Sequence, residues 1–127
     1  MVMIIGNGID HVELSRFKTD MESDEFAFLA RVFTDSEIIY AKSTDDYVQR
    51  LAGRFAAKEV ALKALGTGWA GSVDRKEIET TNEPSGQARI KLTGVAAKIA
   101  ESAGAKRFFV SISHTSRLAS AEVIIET

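Results

Sequence analysis

No cysteine occurs in the 127 residues, which excludes disulfides, thiolate metal sites and a cysteine nucleophile. Proline occurs once, as Pro84, in the polar run Thr81-Asn82-Glu83-Pro84-Ser85-Gly86, which reads as a loop. No apolar run approaches the length needed to cross a bilayer. The N-terminus has no basic segment ahead of an apolar one, so it does not read as a signal peptide. Long basic runs are missing too. Sixteen Lys and Arg stand against 18 Asp and Glu, a net charge of −2, which argues against a general nucleic-acid binder. There is no internal repeat, linker or low-complexity tract. The remaining composition, 45% hydrophobic and 27% charged, is ordinary for a globular chain. One soluble, cytoplasmic domain over residues 1–127, with a modest core, is the expectation.

The most ordered stretch runs from Gly53 through Arg54-Phe55-Ala56-Ala57-Lys58-Glu59-Val60-Ala61-Leu62-Lys63 to Gly68. Its residues are strong helix formers, and Gly66 stands where a left-handed cap would end a helix. Val48, Leu51, Phe55 and Leu62 share one helical face, expected to be the buried one. Glu59 lies only about 40° from Phe55, at about 100° per residue. A carboxylate on the shoulder of an apolar face needs a cation beside it. The candidates are Lys63, one turn on, or a metal ion.

Along the chain, Val2–Ile9 reads as a strand, with Asp10 at its end and able to cap a helix over 11–20. Residues 26–32 read as a second short helix, apolar at Phe26, Leu29 and Phe33. Thr34-Asp35-Ser36-Glu37 fits a capping box that opens a helix to Ala41. Ser43-Thr44-Asp45 is a second cap cluster ahead of a long helix over 46–65. Gly66 to Ser72, with the single tryptophan Trp69, is a Gly-rich loop able to bring backbone N–H groups to a phosphate. Strands are expected over 73–80, 88–92, 108–113 and 119–126, with a helix over 94–102 ended by Gly104. His114 to Arg117 is then the turn of an antiparallel hairpin. This order of elements predicts an α+β domain with an antiparallel sheet against the long helix.

Three motifs appear in order. Gly8-Ile9-Asp10 is followed by Glu13, Arg16 and Phe17. Gly53-Arg54-Phe55-Ala56-Ala57-Lys58-Glu59 follows about 40 residues later, and Val110-Ser111-Ile112-Ser113-His114-Thr115 comes near the C-terminus. Together they resemble the holo-acyl carrier protein synthase family, the small AcpS-type 4′-phosphopantetheinyl transferases, over nearly the whole chain. Three departures stand out. Asp20–Glu25 is acidic where relatives are often basic, Glu77-Ile78-Glu79 replaces a common Asp-Ile-Glu, and Gly86-Gln87-Ala88 replaces Gly-Lys-Pro.

The resemblance implies the 4′-phosphopantetheinyl transferase-like fold. It also implies transfer of 4′-phosphopantetheine from coenzyme A to a serine of apo-acyl carrier protein in fatty acid biosynthesis. Asp10 and Glu59 are then the Mg2+ ligands, a pair that suits a hard cation completed by substrate phosphates and water. Manganese uses similar oxygen sites. Glu59, or a water it holds at the metal, is the candidate base. Lys63 would offset charge on the leaving phosphate. Arg54, Lys58, Lys63, Gly66, Ser113, His114 and Thr115 are the implied coenzyme A contacts, and Arg16 and Phe17 the implied carrier contacts. Larger relatives hold two copies of the fold in one chain with the site between them; for a chain of one copy's length the resemblance implies a homo-oligomer, usually a homotrimer, with sites at subunit interfaces. Two other readings stay open: a metal-dependent nucleotide phosphohydrolase, and a non-catalytic module that binds acyl carrier protein or a nucleotide.

Overall fold

The structure, a computed structural model, describes residues 1–66 and 73–127. The expectations for Thr67–Ser72, Trp69 included, lie outside the described residues. The elements are β1 (Ile4–Glu13), α1 (Leu14–Glu22), α2 (Glu25–Val32), α3 (Asp35–Lys42), α4 (Tyr47–Ala64), a 3₁₀ turn (Arg75–Glu77), β2 (Ile78–Asn82), β3 (Ala88–Leu92), α5 (Gly94–Ser102), β4 (Arg107–His114) and β5 (Leu118–Glu126). The strands form an antiparallel three-stranded sheet, β1-β5-β4, and a separate β2-β3 hairpin. The α+β expectation therefore holds, with the strands divided between two sheets.

Helix α4 runs through the middle. Its buried residues include Leu51, Ala52, Ala56, Ala57, Val60, Ala61, Leu62 and Ala64, so it is covered nearly all round rather than on the one face expected. Its alanines let the sheet come close, where Val110, Ala121, Val123 and Ile125 meet it. A second cluster packs Leu14, Phe17, Met21, Leu29, Val32 and Phe33 against Leu51 and Ala52. Phe26, read with Leu29 and Phe33 as an apolar position of the second short helix, is 85% exposed, while Leu29 and Phe33 are buried. The helix ends as expected: Gly66 has φ +70° and its N–H donates to the Lys63 carbonyl.

Strand β1 ends four residues later than expected, so Asp10 is a strand residue and not a helix cap. Strand alternation turns Gly6, Gly8, Asp10 and Val12 toward the interior. A side chain at Gly6 would collide with the Ala64 carbonyl, and one at Gly8 would press on Val60. The two glycines let β1 lie against α4, which carries Asp10 alongside that helix. Gly53 is explained the same way, since a Cβ there would come within 2.6 Å of the Ile112 Cγ2.

The capping box at Thr34 and Glu37 forms as read. The Ser43 and Thr44 hydroxyls, in contrast, donate back to the Tyr40 and Ala41 carbonyls at 2.6 and 2.7 Å. They close α3 instead of opening α4, whose first turn has no side-chain cap. Residues 73–80 hold the 3₁₀ turn before β2 rather than one continuous strand.

Lys58, expected to reach a phosphate, is fully buried. Its ammonium donates to Glu37 Oε1 at 2.8 Å, the Arg75 carbonyl at 2.9 Å and the Ile78 carbonyl at 2.7 Å. All three protons are used, so none is free for a ligand. Burial pulls its pKa below the ordinary lysine value, and Glu37 works against that.

Removing one member of a buried ion pair strands the other charge. Lys58→Met is expected to cost about 3–5 kcal/mol in urea unfolding, and the Glu37→Gln, Lys58→Met double variant less than the sum of the singles. Gly6→Ala should cost about 1–3 kcal/mol by overpacking against backbone. Gly53→Ala should cost less, because the obstacle is a movable side chain and alanine favours a helix. Equal melting temperatures for the two glycine variants would contradict this packing account.

Candidate functional site

Two clefts flank α4. The first has a volume of about 460 Å³ and is lined by Asp10, Glu13 and Arg16 among others, together with Phe17, Glu59 and Arg75. It holds both carboxylates proposed as ligands: Asp10 from β1 and Glu59 from α4. Their basic partners differ from the expected ones. Lys63 Nζ lies 3.6 Å from Asp10 Oδ1, while Glu59 Oε1 accepts from Arg75 Nε at 2.6 Å. The Glu59–Lys63 helical pair is therefore replaced by two cross-element pairs, because Asp10 approaches Lys63 from β1 and the 3₁₀ turn delivers Arg75.

Among the described residues no three metal-ligating side chains come together. Two oxygen-only carboxylates in one open cleft still fit a magnesium-type site, which takes one or two carboxylates and completes its shell with phosphate and water. Such a cation would be held by Asp10 and Glu59.

Arg16 is exposed at the mouth of this cleft. Phe17, expected to meet a carrier, is instead only 4% exposed. Its ring packs 5.6 Å from Phe28 and 5.7 Å from Phe55. It forms the cleft's apolar wall.

The second cleft, about 320 Å³, is lined by Arg50, Arg54, Asn82, Ser111 and His114 with neighbours from the hairpin. Arg54 is buried and its guanidinium lies 4.2 Å from the Tyr40 ring centroid. It donates to Asn82 Oδ1, while Nε has no partner among the described residues. Burial lowers its pKa from the ordinary value, partly offset by Tyr40 and Glu37; an arginine so placed still carries its charge. Asp46 accepts from Arg50 Nε at 3.2 Å and lies 3.2 Å from His114 Nε2. Burial raises the Asp46 pKa, but hydrogen bonds from Arg50 and Thr44 outweigh it and leave it lowered. Asp46 thus fixes two of the basic groups that face this cleft.

The remaining expected contacts are scattered. Ser113 lies on the exposed face of β4, opposite His114. The Thr115 hydroxyl accepts from the Arg117 and Leu118 N–H groups, both at 3.1 Å, and so closes the β4–β5 turn. His114 is the last residue of β4 rather than part of that turn. Lys58 is in the core. Gly66 caps the end of α4, and its N–H donates to the Lys63 carbonyl at 2.9 Å. Three residues were missed by the sequence reading. Arg50 was detectable from its spacing of four to both Asp46 and Arg54. Asp46 gave no signal beyond that spacing, and Arg75 gave none because its stretch reads as a strand.

The family model of the 4′-phosphopantetheinyl transferase superfamily matches residues 6–120. A holo-[acyl-carrier-protein] synthase from Koribacter versatilis is 43% identical over 124 residues, covering 98% of this chain and 99% of that one. The crystal structure of holo-[acyl-carrier-protein] synthase from Neisseria meningitidis superposes with a TM-score of 0.89 at 32% identity, covering 98% of this chain and all of that one. That from Bacillus anthracis, in complex with CoA (3′,5′-ADP), gives 0.80 at 32% identity, covering 98% of each chain. This chain belongs to the 4′-phosphopantetheinyl transferase superfamily.

Proposed function

We propose that this chain, acting as one domain over residues 1–127, is a holo-acyl carrier protein synthase of the cytoplasm that serves fatty acid biosynthesis. It transfers 4′-phosphopantetheine from coenzyme A to a serine of apo-acyl carrier protein and leaves adenosine 3′,5′-bisphosphate. The observation that carries this reading is the meeting of Asp10 and Glu59 in one open cleft of a chain from this superfamily. The serine oxygen forms a bond to the phosphorus that carries the pantetheine arm. The bond from that phosphorus to the bridging oxygen breaks, and the bisphosphate leaves.

Such chemistry is mostly positioning and charge stabilisation. Asp10 and Glu59 would hold Mg2+, which when bound neutralises charge on the pyrophosphate. Glu59, or a water it holds, takes the serine proton. Lys63, 59% exposed along its side chain and beside Asp10, is free to meet the leaving phosphate. Arg50, Arg54 and His114 supply the basic cleft for the nucleotide's phosphates, Arg54 through a guanidinium already stripped of water. Arg16 offers a cation to an acidic carrier surface, which mainly speeds and orients encounter.

We also assign the active form as a homotrimer with sites between subunits. The outward face of the β1-β5-β4 sheet carries Ile5, Ile9, Phe109 and Leu118, all exposed. An apolar sheet face of this kind is covered in a stable assembly.

Incubation with apo-acyl carrier protein, coenzyme A and Mg2+ should add one phosphopantetheine mass to the carrier, read by intact-mass spectrometry. Chelator should abolish the gain, and Glu59→Gln should slow it by about 10²-fold or more. No gain across several carriers would overturn the transferase reading, and rapid bisphosphate release without a carrier would favour hydrolysis. Light scattering after size exclusion should give three copies, with Phe109→Asp shifting the mass toward one. A monomeric wild type with full activity would refute the shared site.

A further inference from the structure

We infer that Arg75 is a positioning residue that holds Glu59 and competes with the divalent cation for it. The inference rests on the reading of Asp10 and Glu59 as the cation's ligands.

Arg75 is gripped from two sides by consecutive residues of α4. Lys58 takes its backbone carbonyl at 2.9 Å. Glu59 takes its side chain at 2.6 Å. Phe55, one turn earlier on the same helix, lies under the guanidinium, whose carbon is 5.7 Å from the ring centroid. The turn is tightened at its start, where the Asp74 carboxylate accepts from the Lys76 N–H at 2.9 Å. The backbone that carries Arg75 is thus tied to a fully buried ammonium, and its side chain lies along the cleft wall. It is not an arginine that happens to drift near a carboxylate.

The consequence is electrostatic. Glu59 already has a cation on one oxygen, and a guanidinium stays charged at every working pH. A divalent ion that enters must either share that carboxylate with Arg75 or displace it, and the two cations repel. Asp10 does not suffer equally, because Lys63 stands farther off at 3.6 Å on a largely exposed chain. The free protein is therefore built to hold the cation loosely. Substrate phosphates change the balance, since they bring ligands for the ion and an acceptor for the released guanidinium.

The test is Mn2+ binding to the whole protein without coenzyme A, followed by electron paramagnetic resonance. Arg75→Gln should bind Mn2+ up to about fivefold tighter than wild type, the scale of a partly exposed ion pair. Lys76→Gln, which removes the same charge one residue away, should stay near wild type, and Asp10→Asn should lose saturable binding. Equal or weaker binding by Arg75→Gln, with Asp10→Asn still deficient, overturns the role of Arg75 and leaves the ligand pair standing. Equal tightening in Lys76→Gln overturns it as well, since the effect would then be general charge. Binding unaffected by Asp10→Asn overturns the ligand pair and the Arg75 inference with it.

Discussion

The buried Lys58–Glu37 pair is the constraint on which the rest of this molecule hangs. A charged pair without water is stable only if every remaining proton and lone pair is used. Here they are. Glu37 Oε1 also accepts from the Thr34 N–H at 2.9 Å, and Oε2 accepts from the backbone and hydroxyl of Thr80, both at 2.9 Å. The ammonium takes the carbonyls of Arg75, which opens the 3₁₀ turn, and of Ile78, which follows it. One interaction therefore joins α3, α4, the turn and β2. It cannot loosen at one point without stranding a charge, so it fixes where the turn lies against α4. That in turn fixes where Arg75 meets Glu59. The side chain next to Glu59 in sequence thus shapes the cleft from behind, with no atom in it.

Much of this was legible wherever the cause was local. The Thr34–Glu37 capping box and the Gly66 cap depend on residues within one turn, and both formed as read. Strand alternation separated Ser113 from His114 correctly. The failures share one physical origin, which is that periodicity says which residues face inward but not what meets them there. Lys58 looked like a surface lysine because Glu37 is 21 residues away and Ile78 is 20. Helical spacing offered Lys63 as one of two candidate partners for Glu59, beside a metal ion, while Arg75 from the 3₁₀ turn meets Glu59 and Asp10 from β1 meets Lys63. Asp10 looked like a cap because the strand was read as ending at Ile9 with a helix from His11. Gly6 and Gly8 let the strand run on against α4, and what they touch there exists only in three dimensions. Of the implied site, Asp10 and Glu59 came together. Lys58, Phe17, Ser113 and Thr115 had other work or other faces.

The spacing along α4 also bears on how a site for a large nucleotide could be built. Arg50 and Glu59 are nine residues apart on one helix. At about 100° per residue that places them about 180° apart around the axis, and at about 1.5 Å per residue about 14 Å apart along it. The same holds for Arg54 and Lys63. The acidic and basic clefts thus open on opposite sides of a buried helix, and they share no lining residue. One small ligand cannot touch both on a single chain without passing through the core. Coenzyme A carries phosphate at both ends of its nucleotide and needs cations at each. If this chain's Asp10 and Glu59 hold the pyrophosphate end, the arginines that hold the other end belong on a neighbouring copy. In the proposed homotrimer, the exposed apolar residues of the sheet face would give that copy a place to sit. The central helix that stabilises so small a domain thus also keeps its two charged surfaces apart.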